Sequence, residues 1–295
     1  ERVVRRVVTA GTVVEPGLLD EGRNNYLAAV AWERRDFDTP AATQRRAGFD
    51  TPAATQPAAI GLAYADITTG EFAVTQLQGP QAEHLLRQEL ARLQPAELLL
   101  REGEGERARK GDDSSPSHPF PLSPSLPLTR LPTWQFELET ARRALFEQFQ
   151  VESLAPFGCE HLPQAVRAAG ALVQYLQQTQ RGSLPHLTGL RTYDTGEFMA
   201  LDEATRRNLE LTQTIRSGSK KGSLLEVLDA TRTPMGTRLL RKWLHQPLLD
   251  RERLEARLDG VQAWHDALPA RAELRDLLRR VGDLERWTNR AAQGI

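Results

Sequence analysis

Residues 60–77 read IGLAYADITTGEFAVTQL, and this stretch decides the fold of the first half of the chain. Ile60, Leu62 and Tyr64 fall on one face, and Ala63, Ala65 and Ile67 on the other. The period is two and both faces are apolar, which predicts a strand covered on both sides. Thr69 and Gly70 supply a tight turn, and residues 71–77 return as a second strand. Upstream, residues 26–32 (YLAAVAW) form another short apolar run, which makes a three-stranded meander. Downstream, Pro80 stands where a helix can begin. Ala82, Leu85, Leu86, Leu90 and Leu93 give that helix an apolar stripe. Residues 96–100 are a further short strand. Leu138, Ala141, Leu145 and Phe149 mark a second helix. Leu162, Val166, Ala169, Val173 and Leu176 mark a third, with Pro163 near its start. A meander followed by alternating helix and strand predicts a mixed sheet with helices on its faces, an α/β unit.

Two segments interrupt this pattern. The octapeptide FDTPAATQ at 37–44 returns at 49–56, too short a repeat for a solenoid. The insert at 36–57 is expected to be a disordered loop. Residues 101–131 begin as a charge run and become proline-rich (SSPSHPFPLSPSLPL), which predicts loop or polyproline-like chain, a solvated surface or a ligand for a partner. The run RGSLP at 181–185 breaks the helical pattern and sets the domain boundary. Beyond it the signals are all helical. Asp202 can cap a helix running to about Arg216. Ser223 with Glu226 forms a capping box. Thr233 followed by Pro234 is an N-cap with proline at the first helical position. Leu254, Leu258, Val261, Trp264 and Leu268 form a stripe after Asp250, and Leu274, Leu277, Leu278 and Val281 continue it. Stripes so regular call for partner helices, so the second domain is expected to be all-α.

Bulk composition is that of an ordinary globular protein: of 295 residues, 40% are hydrophobic and 26% charged. The formal net charge of −1 argues against DNA binding through overall phosphate neutralisation, so any contact must come from a local patch. The single cysteine, Cys159, beside His161, cannot staple a fold or complete a zinc site and is expected to be a bystander thiol. No run of about twenty apolar residues occurs, so no membrane span is expected. The N-terminus has no signal-peptide pattern, and a cytoplasmic location follows. The chain opens at Glu1, without methionine, in a strand-like run, and closes at Ile295 just after a helix has begun. A fragment of a longer protein is expected.

Candidate chemistry is sparse. The turn Gly218-Ser219-Lys220-Lys221-Gly222-Ser223 has glycines, lysines and a serine, but not in phosphate-loop order, and no strand feeds it. Asp66, near the end of a strand, stands where a ribonuclease-H-type nuclease would place its first metal carboxylate. Two-metal catalysis needs further carboxylates, and Glu97 is alone on the later strand. The alternative is that Asp66 tightens its turn through local hydrogen bonds. No histidine pair has metal-ligand spacing. Neither a catalytic, a cofactor nor a metal site is expected, and so no enzyme. Arg238, Arg241 and Lys242 fall at i, i+3 and i+4 on one helix face and are the candidates for contact with a DNA backbone, or else a solvated face with acidic neighbours.

Three runs in the second half resemble the core domain of the MutS family of mismatch repair proteins. Residues 202–211 resemble D-x-x-T-x-R-N-L-E-L. Residues 233–244 resemble T-x-M-G-x-R-x-L-x-x-W-L, with Pro247 and Leu248 at the usual distance. Residues 282–286, GDLER, match a third run. In the first half, residues 7–12 (VVTAGT) resemble the exit of the family's mismatch-reading domain, with Ala10 for proline. Residues 66–72 resemble the hairpin of its connector domain. The resemblance implies a remnant of the mismatch-recognition domain at 1–17, a ribonuclease-H-like connector domain without nuclease activity at 18–180, and a truncated helical core/lever domain at 181–295. It further implies core packing for Thr205, Asn208, Trp243 and Leu244, and a close helix approach at Gly236. In the full-length family protein it implies duplex DNA with a mispair, a homodimer, the partner MutL, and ATP with magnesium. This segment would then relay motion between the DNA-gripping and ATPase parts and offer partner surface. A genuine ribonuclease-H-type nuclease and a helical scaffold outside repair are the alternatives.

Overall fold

The computed structural model describes residues 7–32, 59–103, 126–180 and 184–294. Residues 1–6, the doubled insert and residues 104–125 lie outside these, and so do the expectations that fall on them. Leu27–Trp32 (β1), Ile60–Asp66 (β2) and Glu71–Leu77 (β3) form the antiparallel meander. Ala82–Leu93 (α1) crosses to Glu97–Arg101 (β4), which runs parallel to β1. Leu128–Leu131 (β5) adds in parallel to β4. Leu138–Phe149 (α2) and Pro163–Gln180 (α3) follow, and Arg191–Thr192 (β6) pairs in parallel with β3. Among the described residues the sheet order is β5-β4-β1-β2-β3-β6, the ribonuclease-H-like mixed sheet.

Alternation along the strands sorts the core into two layers. Leu27, Ala63, Ala65, Ile67 and Val74 face α2 and α3. Ala28, Ile60, Leu62, Tyr64 and Ala73 face α1 and Tyr193. The first layer is thin where Ala29, Ala31, Ala63 and Ala65 face α3, so that helix can lie close. Gly61 permits that approach: a Cβ there would stand 2.0 Å from the backbone carbonyl of Gln164, at the start of α3. Gly170 does the same where α3 crosses α2, with Ala141 Cα 2.3 Å from a notional Cβ.

Two strands were not foreseen. The proline-rich insert ends in β5, where Leu98 N donates to Pro127 O at 3.0 Å. An edge position tolerates the proline, which lacks a donor. With two residues, β6 is too short to show a period.

Glu97 ties the N-terminal segment to the sheet. Its carboxylate is buried and accepts from Thr9 Oγ1 at 2.5 Å, Gly11 N at 2.9 Å, Thr129 Oγ1 at 2.7 Å and Tyr175 Oη at 2.6 Å. Burial pushes its pKa up, but these hydrogen bonds outweigh burial and hold it below the usual carboxylate value. The carboxylate read as solitary in the sequence is thus a junction of four chain segments.

The helical half comprises Glu203–Asn208 (α4), Leu224–Leu228 (α5), Pro234–His245 (α6), Arg251–Asp266 (α7), Leu268–Leu278 (α8) and Leu284–Gln293 (α9). The caps at Asp202, Ser223 and Thr233 fall where expected, each accepting a backbone N–H from the first turn, and Asp250 caps α7 in the same way. Other expectations are corrected. The helix after Asp202 stops at Asn208, because Glu210 takes a left-handed backbone (φ 46°) and its carboxylate accepts from Ile215 N. Gly236 makes no close helix approach; a Cβ there would meet Thr231 and Thr233 of its own turn. Trp243 is 40% exposed, with Arg257 stacked 4.1 Å from its ring centre, and Leu244 is half-buried. Leu254, Leu258, Val261, Trp264 and Leu268 are all exposed among the described residues.

Two outcomes follow. Gly61→Ala should destabilise the protein by about 3 kcal/mol, the upper end for overpacking, since the obstacle is backbone; urea unfolding measures it. Glu97→Gln should cost about 2 kcal/mol at neutral pH. A depressed carboxylate contributes stability above its unfolded pKa of about 4.3 and loses it as pH falls through the folded value. The difference in melting temperature between the two proteins should therefore be full at neutral pH and close in acid.

Candidate functional site

Helix α6 starts at the Thr233 cap, with Pro234 supplying a fixed φ in its first turn. Arg238 follows one turn later, and its side chain is 4% exposed. A guanidinium so buried needs anionic partners. Asp283 supplies them in bidentate form, at 2.6 Å from Nη1 and 2.7 Å from Nη2. Glu285 accepts a further bond from Nη2 at 2.7 Å, and the carbonyl of Glu21 one from Nη1 at 2.9 Å. Burial would lower the Arg238 pKa, but the two carboxylates more than reverse this. Burial likewise raises that of Asp283, while Arg238 brings it below the usual value. Both groups stay charged, and removing one partner of such a pair costs about 3–5 kcal/mol.

The same contact surface extends along α6 and α9. Asp283 also caps α9, accepting from Arg286 N. In the next turn Arg286 Nη2 donates to the carbonyls of Asp20 (3.1 Å) and Arg23 (2.5 Å). Lys242, one turn after Arg238, donates to Glu71 Oε1 at 2.5 Å at the mouth of the β2–β3 hairpin. The other Glu71 oxygen accepts from Tyr26 Oη at 2.9 Å. Gln293 Nε2 reaches the carbonyl of Ile67 at 3.0 Å. The helices thus grip one end of the sheet through the 20–24 loop and the hairpin.

Asp66 lies in that hairpin, fully buried. Its Oδ1 accepts from Thr68 N (2.9 Å) and Thr68 Oγ1 (2.6 Å). Its Oδ2 accepts from Asn24 Nδ2 (2.9 Å) and Asn25 N (3.1 Å). The carboxylate shapes the turn and binds the 24–25 loop to it. Among the described residues no group of three His, Cys, Asp or Glu side chains could hold a metal ion. The 218–223 turn does not fit a nucleotide phosphate. Lys220 is paired with Asp229, and Ser223 Oγ donates to Lys220 O while capping α5. Cys159 is buried, which pushes its thiol pKa up.

Arg238, Arg241 and Lys242 do share one face of α6, and that face points inward at the sheet. Arg238 and Lys242 have carboxylate partners, whereas Arg241 forms no hydrogen bond or ion pair among the described residues. Sequence reasoning did not find the acidic half of the site. The run at 282–286 was visible, but nothing in it points to an arginine 45 positions earlier. Arg206 was missed as well: its Nη1 donates to the carbonyl of His245 at 2.8 Å and its Nε to that of Leu201 at 3.0 Å. Thr205 and Asn208, expected to pack in the core, do not: Thr205 is half-buried and Asn208 exposed.

Comparison with known proteins finds a match for each half of the chain. Residues 25–188 match the family profile of MutS domain II, and residues 204–295 that of MutS domain III. The DNA mismatch repair protein MutS of Nostoc punctiforme is 44% identical across 99% of the chain. That of Symbiobacterium thermophilum is 42% identical across 100%, and that of Roseiflexus castenholzii 40% across 100%. The chain spans 30%, 30% and 27% of these relatives' lengths. The β2–β3 hairpin, α6 and α9 thus fall within matched regions, and the chain belongs to the MutS family of DNA mismatch repair proteins.

Proposed function

We propose that this chain is the joint of a longer mismatch repair protein. It relays conformational change between a part that grips mispaired duplex DNA and a part that hydrolyses ATP with magnesium. Its connector domain, 18–180, offers surface to MutL, and its core/lever domain, 181–295, works within a cytoplasmic homodimer. The observation that carries this reading is the orientation of α6. Its charged face is turned inward, bonded to α9 through Arg238 and Asp283 and to the first half through Arg238 with the Glu21 carbonyl and Lys242 with Glu71, while Leu239 and Trp243 on its other side are exposed. An apolar surface that continues over α7 and α8 suits contact with further protein. The relatives are about three times as long, which leaves ample chain to cover it. Coupling between distant sites requires an element that both can bias, and a helix pinned at one face and covered at the other suits that role.

Isolated, the chain should show neither ATP turnover nor preference for mispaired over matched duplex; robust activity in either assay would count against the joint. In a full-length protein carrying this segment, Arg238→Met should leave basal ATP turnover and mispair binding near wild type. Stimulation of turnover by mispaired duplex should fall several-fold. Full stimulation in a variant whose junction amides exchange faster would overturn the reading. Lys242→Gln, a milder break at the hairpin, serves if Arg238→Met fails to fold.

A further inference from the structure

Between the 18–26 loop, the end of α1 and the inner face of α6 lies a cleft of about 270 Å³. Its walls carry five permanent cations, Arg23, Arg92, Arg238, Arg241 and Lys242, and among the described residues one carboxylate, Asp20. Three of these cations have close carboxylate partners: Arg92 has Glu89, Arg238 has Asp283 and Glu285, and Lys242 has Glu71. Polar groups of the wall are also in use, Asn24 on Asp66, Asn25 on the carbonyl of Ala10 and Tyr26 on Glu71. Arg23 and Arg241 are left. Arg23 has a loose pair with Asp20, at 3.7 Å between half-exposed groups, and otherwise donates to the neutral side-chain oxygen of Gln213. Arg241 has a buried Nε without a hydrogen-bond partner. Asp229, the other carboxylate within electrostatic reach of Arg241, is taken by Lys220.

Two guanidiniums facing one cleft with too few anions repel each other, and burial sharpens the effect. Arg241 is pushed down to about 10, by burial first and then by Arg23. His245, on the same wall, is pushed down to about 3, by burial and then by Arg206, Arg241, Arg92 and Arg23. A buried donor left unmade is a standing demand for an acceptor.

We propose that this cleft binds a small phosphate-bearing anion, held by the Arg241 and Arg23 guanidiniums at the seam between the sheet and α6. A tetrahedral oxyanion matches the fork of donors that arginine presents. It would bridge the 20–24 loop to α6 beside the Arg238 and Lys242 links, so binding and closure of the junction favour each other. The ligand is free phosphate or the phosphate of a nucleotide.

The test is a titration of inorganic phosphate into the 295-residue chain, against chloride at matched ionic strength, followed through the His245 ring resonances. Saturable shifts are expected, with the His245 midpoint moving upward as the anion offsets the arginines. Arg241→Gln should weaken phosphate about tenfold or more, the loss of one charge-assisted contact. Arg23→Gln should do the same, and it serves if Arg241→Gln fails to fold. ADP that competes with phosphate identifies a nucleotide as the source, and ADP that does not compete leaves free phosphate; both support the site. Shifts no larger than with chloride, or unchanged affinity in a folded Arg241→Gln protein, would overturn it.

Discussion

An arginine removed from water imposes conditions on everything around it. Arg238 cannot shed its proton, so its burial is tolerable only if carboxylates and carbonyls meet the terminal nitrogens of its guanidinium. Asp283 and Glu285, at the start of α9, and the Glu21 carbonyl, far upstream, do this. To bring Asp283 there, α9 must begin at that point. Once α9 begins there, Arg286 faces the carbonyls of Asp20 and Arg23. With α6 fixed at Arg238, Lys242 stands over Glu71. The placement of helices on sheet thus follows from satisfying one cation, and directional bonds hold it rather than a merged apolar core.

That constraint also explains why α6 is turned over relative to its sequence pattern. At about 100° per residue, Trp243 lies roughly 140° round the helix from Arg238, while Lys242 and His245 lie within about 40° of it. Anchoring Arg238 inward carries Lys242 and His245 inward and sends Trp243 outward. An amphipathic stripe predicts that an apolar face will be covered, but the cover need not come from the same segment of chain. For α6 and α7 it does not, and the expectation of internal core packing fails for that physical reason.

The sheet was the more legible half. Residues 60–77 are apolar on both faces and bounded by a glycine turn, and every strand residue sits on the layer that alternation assigns. The cap residues were equally plain, because a cap bonds within three positions of itself and needs no distant partner. What escaped was non-local or too short for a period: the two-residue β6, the edge strand β5 behind a proline, and Glu97, whose four donors come from three other segments. The site follows the same divide. Three cations at helical spacing could be read from α6, but not the acids that meet two of them, nor the third left bare.

The distribution of bond types bears on how such a joint can move. Within the sheet, the two layers are fully buried and closely packed, with backbone in contact at Gly61 and Gly170. Close packing resists gradual deformation, so the sheet moves as a body. At the junction the contacts are a handful of hydrogen bonds and ion pairs, such as Lys242 with Glu71, both partly exposed, and Arg238 with the Glu21 carbonyl. Polar contacts of this kind lose their geometry within an ångström or so and can be exchanged for water, whereas an apolar interface yields only by opening over its whole area. A displacement imposed on the outer face of α6 would therefore be taken up at the Arg238 and Lys242 links before it strains either body. The weak, directional seam between two stiffer parts is where an effector, an anion included, can most readily bias the angle between them.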